Sequence, residues 1–130
     1  MTFKTLLTLK ALVCLVFGSL MVLVPVTLFD VLGASLDDVG SFPAREYGAA
    51  MFGTLVLTWL GRSLVDPAAR RIILLDLLVY DGIGVVVTLP PVVEGTLNAL
   101  GWGVVVIYAF FTIGSGYLLA GEGSIRTIRR

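Results

Sequence analysis

The chain has 130 residues, 58% of them hydrophobic and only 14% charged, with nine basic side chains against nine acidic ones. A soluble domain is about half apolar and about a quarter charged, and one of this size could not hide so much apolar surface. Balanced charge excludes a bulk basic face for nucleic acid, and the lack of any His excludes imidazole ligation, Ser-His-Asp chemistry and nearly every zinc site.

The first predicted element is a helix over 8–29. Ala11 to Phe29 is nineteen residues without a charge, close to the 20 or so that cross the hydrocarbon of a bilayer. Lys4 and Lys10 flank it, and Pro25 predicts a kink near its far end. A cleaved signal peptide is the alternative, with Leu32-Gly33-Ala34 as a loose cleavage site. The run exceeds a usual signal core, so a retained helix is expected. Cys14 lies inside the run and has no second cysteine to pair with, which predicts a packed thiol.

The second helix is predicted over 42–64, with Arg45 and Arg62 at its two interfaces. Ala44 with Gly48, and Ala49 with Gly53, are small pairs four apart, the spacing that lets helices approach closely in lipid. The third is predicted over 67–89. Asp66-Pro67 supplies a cap and a first-turn proline, and Pro90-Pro91 should end it. The fourth is predicted over 96–120, with Thr96 as cap and Gly121 as stop. Gly82 and Gly84 on the third helix and Gly114 on the fourth are further packing candidates. Backbone in lipid must bond internally, which selects helices, and strict alternation for barrel strands is missing. The expected fold is all-α: one domain over 1–130, an integral membrane bundle of four transmembrane helices.

Four spans put both termini on one side. Eight of the nine basic residues fall there, Lys10 included, and Arg45 alone falls opposite. The positive-inside rule then makes both termini cytoplasmic, in a multi-pass protein of the plasma (inner) membrane. The tail from Ser124 to Arg130 alternates Ile and Arg in part and is expected on anionic headgroups.

Asp76 and Asp81 are the most informative residues. Two mid-helix aspartates cost roughly 5–7 kcal/mol on the insertion scale, about what the surrounding Leu, Ile and Val return. Five residues put them about 140° apart on a helix, so they form no paired-carboxylate site. Such residues point either to an ion, proton or solute site or to carboxylates that tie helices together. Arg45 is the expected partner, with Asp81, Glu46 or Glu94 as its acid and Asp81 or Glu46 first, because it breaks the positive-inside pattern and sits in the expected first turn, where the helix dipole repels a cation. Arg62 is placed to approach Asp76. Tyr80, with Tyr47, Tyr108 and Tyr117, adds polar tips, and Trp59 and Trp102 fit interfacial belts. Phosphate-binding glycine loops, HExxH, CxxC and GxSxG are all missing, so no catalytic residues, metal or cofactor are expected.

Arg45-Glu46-Tyr47-Gly48-Ala49-Ala50, Leu57-Thr58-Trp59-Leu60-Gly61-Arg62 and Asn98-Ala99-Leu100-Gly101-Trp102 together form a pattern. It resembles the small bacterial four-helix membrane proteins grouped as domains of unknown function, distantly similar to DoxX-like proteins. The resemblance implies a compact four-helix bundle with both ends cytoplasmic, and no chemistry. The expected role is non-enzymatic: a structural or accessory subunit acting through helix packing in the lipid bilayer, by self-association or within a larger membrane complex, with no nucleic-acid partner. The alternative is a small oligomeric transporter or channel for protons or small solutes that uses Asp76, Asp81 and Arg45.

Overall fold

The structure is a computed structural model that describes the backbone of residues 1–128 and the side chains of residues 1–121. Five helices follow in order: α1 (Phe3–Leu23), α2 (Pro25–Val31), α3 (Asp38–Gly61), α4 (Pro67–Val93) and α5 (Gly101–Ile128).

α1 starts five residues before the expected boundary because Thr2 caps it, accepting from the Thr5 amide at 3.2 Å. The kink expected at Pro25 is a full break. Val24 leaves the helix with φ −138° and ψ 53°, as a residue before proline tends to, and Pro25 opens α2 at its first position. Asp37 starts α3 four residues early by accepting from the Gly40 amide at 2.7 Å, and the helix stops at Gly61 rather than 64.

Asp66 and Pro67 open α4 as expected, with Asp66 accepting from Ala69 at 2.7 Å. Pro90 and Pro91 do not end it. Proline forbids the bond to the carbonyl four residues back but holds a helical φ, and the Glu94 amide closes the last turn on the Pro90 carbonyl at 2.9 Å. Thr96 caps nothing. α5 starts later, after Asn98 accepts from the Leu100 amide at 2.9 Å. Gly121 fails to stop α5, since glycine permits a left-handed turn without forcing one. The side chains of the basic tail lie outside the described residues.

α1 packs antiparallel along α3, and α4 along α5; the two pairs meet more sparsely. Within the first pair, Gly18 faces Gly48: a Cβ on Gly48 would stand 2.8 Å from Met21 and Val22. Within the second, a Cβ on Gly84 would strike the Tyr108 ring at 2.5 Å. Phe3, Leu6, Leu7, Ile73, Leu74, Leu77 and Phe111 close the base of the bundle, where α1 and α4 begin. Gly114 makes room there for Leu6 and Met1. The other two packing candidates make no close approach to other described residues of the chain. Gly53 points outward with nothing within 4 Å of its Cβ position, and Gly82 makes only ordinary contact with Thr112 at 3.8 Å.

The outside is apolar. Leu12, Val16, Ile72, Val79, Ile83 and Ile113 are all exposed, the reverse of a soluble fold. α1, α4 and α5 as far as Gly121 are long and apolar enough to cross a membrane. α3 does not meet that measure; Asp38, Arg45 and Glu46 all fall in its first half.

Candidate functional site

The buried stripe of α1 runs Phe3, Leu6, Leu7, Lys10, Ala11, Cys14, Gly18, the three- and four-residue spacing of one helix face. Lys10 therefore occupies a core position, 2% exposed. The stripe of α4 runs Ile73, Leu74, Leu77, Asp81, Gly84, and Asp81 is completely buried. The Lys10 ammonium donates to Asp81 Oδ1, an ion pair that bridges the two helix pairs. Lys10 Nζ also lies 4.6 Å from the centre of the Tyr80 ring and 4.9 Å from that of Phe111, where desolvated ring faces attract a cation. Asp81 Oδ2 has no hydrogen-bond partner among the described residues.

Above this pair three tyrosines converge from three helices. The Tyr47 hydroxyl of α3 bonds the Tyr80 hydroxyl of α4 and, at 2.7 Å, the Tyr108 hydroxyl of α5. The Tyr80 and Tyr108 rings meet edge to face, centroids 6.4 Å apart. With Lys10 from α1, every long helix contributes one polar group. These four residues floor a cavity of about 180 Å³. Its walls are apolar, with Phe17, Met21, Met51, Val104 and Ile107 prominent, and Thr88 is the other polar residue lining it.

The cavity is roofed by α2 through Leu28 and Phe29, and by Leu32 and Leu97. Asn98 pins that roof, donating from its side chain to the Val31 carbonyl and from its amide to the Leu32 carbonyl, both at 2.8 Å. Gly33 turns there with φ +85°, a conformation that favours glycine, and a Cβ on it would stand 3.0 Å from Asn98.

The expected pairing of Arg45 with Asp81, Glu46 or Glu94 does not form. Lys10 holds Asp81, both Arg45 and Glu46 are exposed, and among the described residues neither makes an ion pair. Arg45 also stands two turns inside α3, since that helix begins at Asp38, so the dipole term assumed for a first-turn residue is gone. Arg62 does not reach toward Asp76. It donates to the Trp59 carbonyl and stacks 3.4 Å from the Trp59 ring centre. Asp76 faces outward, away from Asp81, as a five-residue spacing requires. Asp81 and the three tyrosines are among the residues the sequence singles out, whereas Lys10 reads there only as a flank. The signal for it was the Thr2 cap, which moves Lys10 two turns inside the span.

Chemically, the floor offers hydrogen-bond donors with no net charge. Lys10 meets the Tyr80 ring face, and the base beneath is filled with aliphatic and aromatic side chains. Among the described residues no cluster of three or more His, Cys, Asp or Glu could hold a metal. Comparison with protein families, curated proteins and solved structures finds no match.

Proposed function

We propose that the chain is a non-enzymatic, four-span protein of the plasma membrane, with both termini cytoplasmic, that holds a small and mostly apolar molecule in the cavity above the Lys10–Asp81 pair. The observation that carries this reading is the cavity itself, apolar in its walls and polar only at its floor, the usual pattern of a small-molecule site.

The fourth span rests on α3. Its 24 residues extend about 36 Å, and it runs antiparallel to α1 from Gly48 beside Gly18 to Gly61 beside Leu7. A helix packed along a spanning helix over those thirteen residues, about 20 Å, crosses the bilayer with it. Orientation rests on the basic residues. With Lys10 spent inside the bundle, Lys4, Arg62, Arg70 and Arg71 remain at the base among the described residues and Arg45 alone at the top, which still favours a cytoplasmic base. The filled base supports holding over conduction through a single bundle.

The test is purification in mild detergent, followed by native mass spectrometry of wild type and Val104→Trp. Wild type should carry a small molecule that the filled cavity loses. Wild type that carries nothing beyond what Val104→Trp carries would sink the reading.

A second reading, an accessory subunit of a larger membrane complex, is favoured by Asp76. It sits on an outward face of α4 among exposed Ile72, Leu75, Val79 and Ile83, where a carboxylate costs about 2.5–3.5 kcal/mol at mid-helix. A donor on a neighbouring transmembrane helix would offset that. Co-elution of a partner protein that Asp76→Leu abolishes would support it, and identical co-eluting species would count against it.

A further inference from the structure

The three tyrosine hydroxyls at the cavity floor carry three protons and share two mutual hydrogen bonds. Each bond uses one proton, so one O–H takes part in neither of these two bonds. Lys10 uses one N–H on Asp81 and presents its ammonium to the Tyr80 and Phe111 rings. The floor can therefore donate to a bound oxygen, while the unpartnered Asp81 Oδ2 belongs to the ion pair and does not line the cavity. The floor also has no net charge, because Lys10 and Asp81 cancel. A volume of about 180 Å³ is slightly larger than the roughly 150 Å³ apolar cavity that admits benzene, which limits the apolar body to one ring or a chain of similar bulk.

Resting on the pocket reading above, we infer that the cavity takes a neutral molecule with one ring-sized apolar body and one hydrogen-bond-accepting oxygen, of ketone or ester type, held by the Tyr47–Tyr80–Tyr108 cluster. An anion is a poor fit. It would lose its water in an apolar chamber and meet a cation already neutralised by Asp81. A plain hydrocarbon fills the walls but offers the third hydroxyl proton no acceptor, where a matching oxygen contributes a net hydrogen bond.

Three probes of one shape test this on the full chain in detergent micelles: acetophenone, ethylbenzene, which lacks the oxygen, and benzoate, which carries a charge. Binding is read by saturation-transfer NMR against Val104→Trp micelles as the blank. Leu97→Trp, which fills the cavity from the roof loop, serves as a second blank if Val104→Trp fails to fold. Acetophenone should bind saturably and about three- to tenfold tighter than ethylbenzene, with no saturable binding of benzoate. The carbonyl stretch of bound acetophenone should lie at lower wavenumber than in cyclohexane, the sign of an accepted hydrogen bond. Equal binding of acetophenone and ethylbenzene, tightest binding of benzoate, or an unshifted carbonyl band would overturn the ligand class while leaving the pocket standing. Failure of all three probes to give binding above the blanks would overturn the pocket as well.

Discussion

The base and the top of the bundle are built from the same four long helices and solve packing differently. At the base, Leu6 and Leu7 of α1 interlock with Leu74 and Leu77 of α4 and Phe111 of α5, and none of them is more than 2% exposed. One turn higher the stripe positions change to Lys10, Asp81, Tyr80 and Tyr108, and the space between the pairs opens into the cavity. Glycines explain why it opens there. Gly18 with Gly48, and Gly84 under Tyr108, draw each pair tight within itself. No glycine contact of that kind joins α1 or α3 to α4 or α5 at the same height. The pairs are tied at the base by apolar packing and at the roof by Asn98. Between these ties the Lys10–Asp81 pair is the ionic link.

The sharpest way to break that link is Lys10→Met. Removing one partner of a buried pair strands the other charge and costs roughly 3–5 kcal/mol. Replacing both partners, as Lys10→Met with Asp81→Leu, should recover most of that, because a buried pair contributes little over well-packed apolar residues. SDS titration of the folded protein in micelles measures both. A single variant as stable as wild type would show that the pair does not join the halves.

Apolar truncations compare the two ends directly. Leu77→Ala removes side chain from a filled core and should cost about 2–5 kcal/mol. Val104→Ala enlarges a cavity that already exists, so most of the lost packing was never there, and the same titration should find under about 1.5 kcal/mol. Similar losses at both positions would mean that the top is as closely packed as the base.

Close approach inside the first pair gives the next contrast. Gly48→Leu forces a side chain into Met21, Val22 and the Gly18 carbonyl and should cost about 1–3 kcal/mol from overpacking. Gly53→Leu, five residues on, points into open space and should leave the melting temperature of the monomer unchanged. A thermal scan of the two variants side by side separates them, and an equal drop in both would place Gly53 in a contact between copies.

The base was far more legible in the sequence than the top. Apolar runs and Asp66-Pro67 place the starts of the long helices to within five residues, while their ends differ by as many as eight. The expectation that Asp76 and Asp81 lie on different faces needed only the helical period. The site was not legible, for two reasons. Lys10 reads as a flank of a predicted helix that starts at residue 8, and a cation at a helix edge is usually solvated. The tyrosine cluster joins residues 33 and 61 positions apart, and no local pattern announces which of four tyrosines will meet. Proline and glycine misled at the helix ends, since both permit a break without imposing one.

Arg45 gives the smallest expected effect and the cleanest contrast with Lys10. Two unfavourable terms once pointed to an acidic partner for it: a cation on the wrong side of the membrane and a cation in the first turn of a helix. The second disappears because α3 starts at Asp38, which places Arg45 beyond the turn where the dipole acts. The first is softened because Arg45 is exposed at the top, where a long side chain can reach water or headgroups. Arg45→Ala should therefore leave the SDS unfolding midpoint unchanged, and Asp81→Asn added to it should lose no more than Asp81→Asn alone. If the double variant instead regained stability that Arg45→Ala had lost, Arg45 and Asp81 would be coupled, and the division between a buried cation that holds the bundle together and an exposed one that does not would fail.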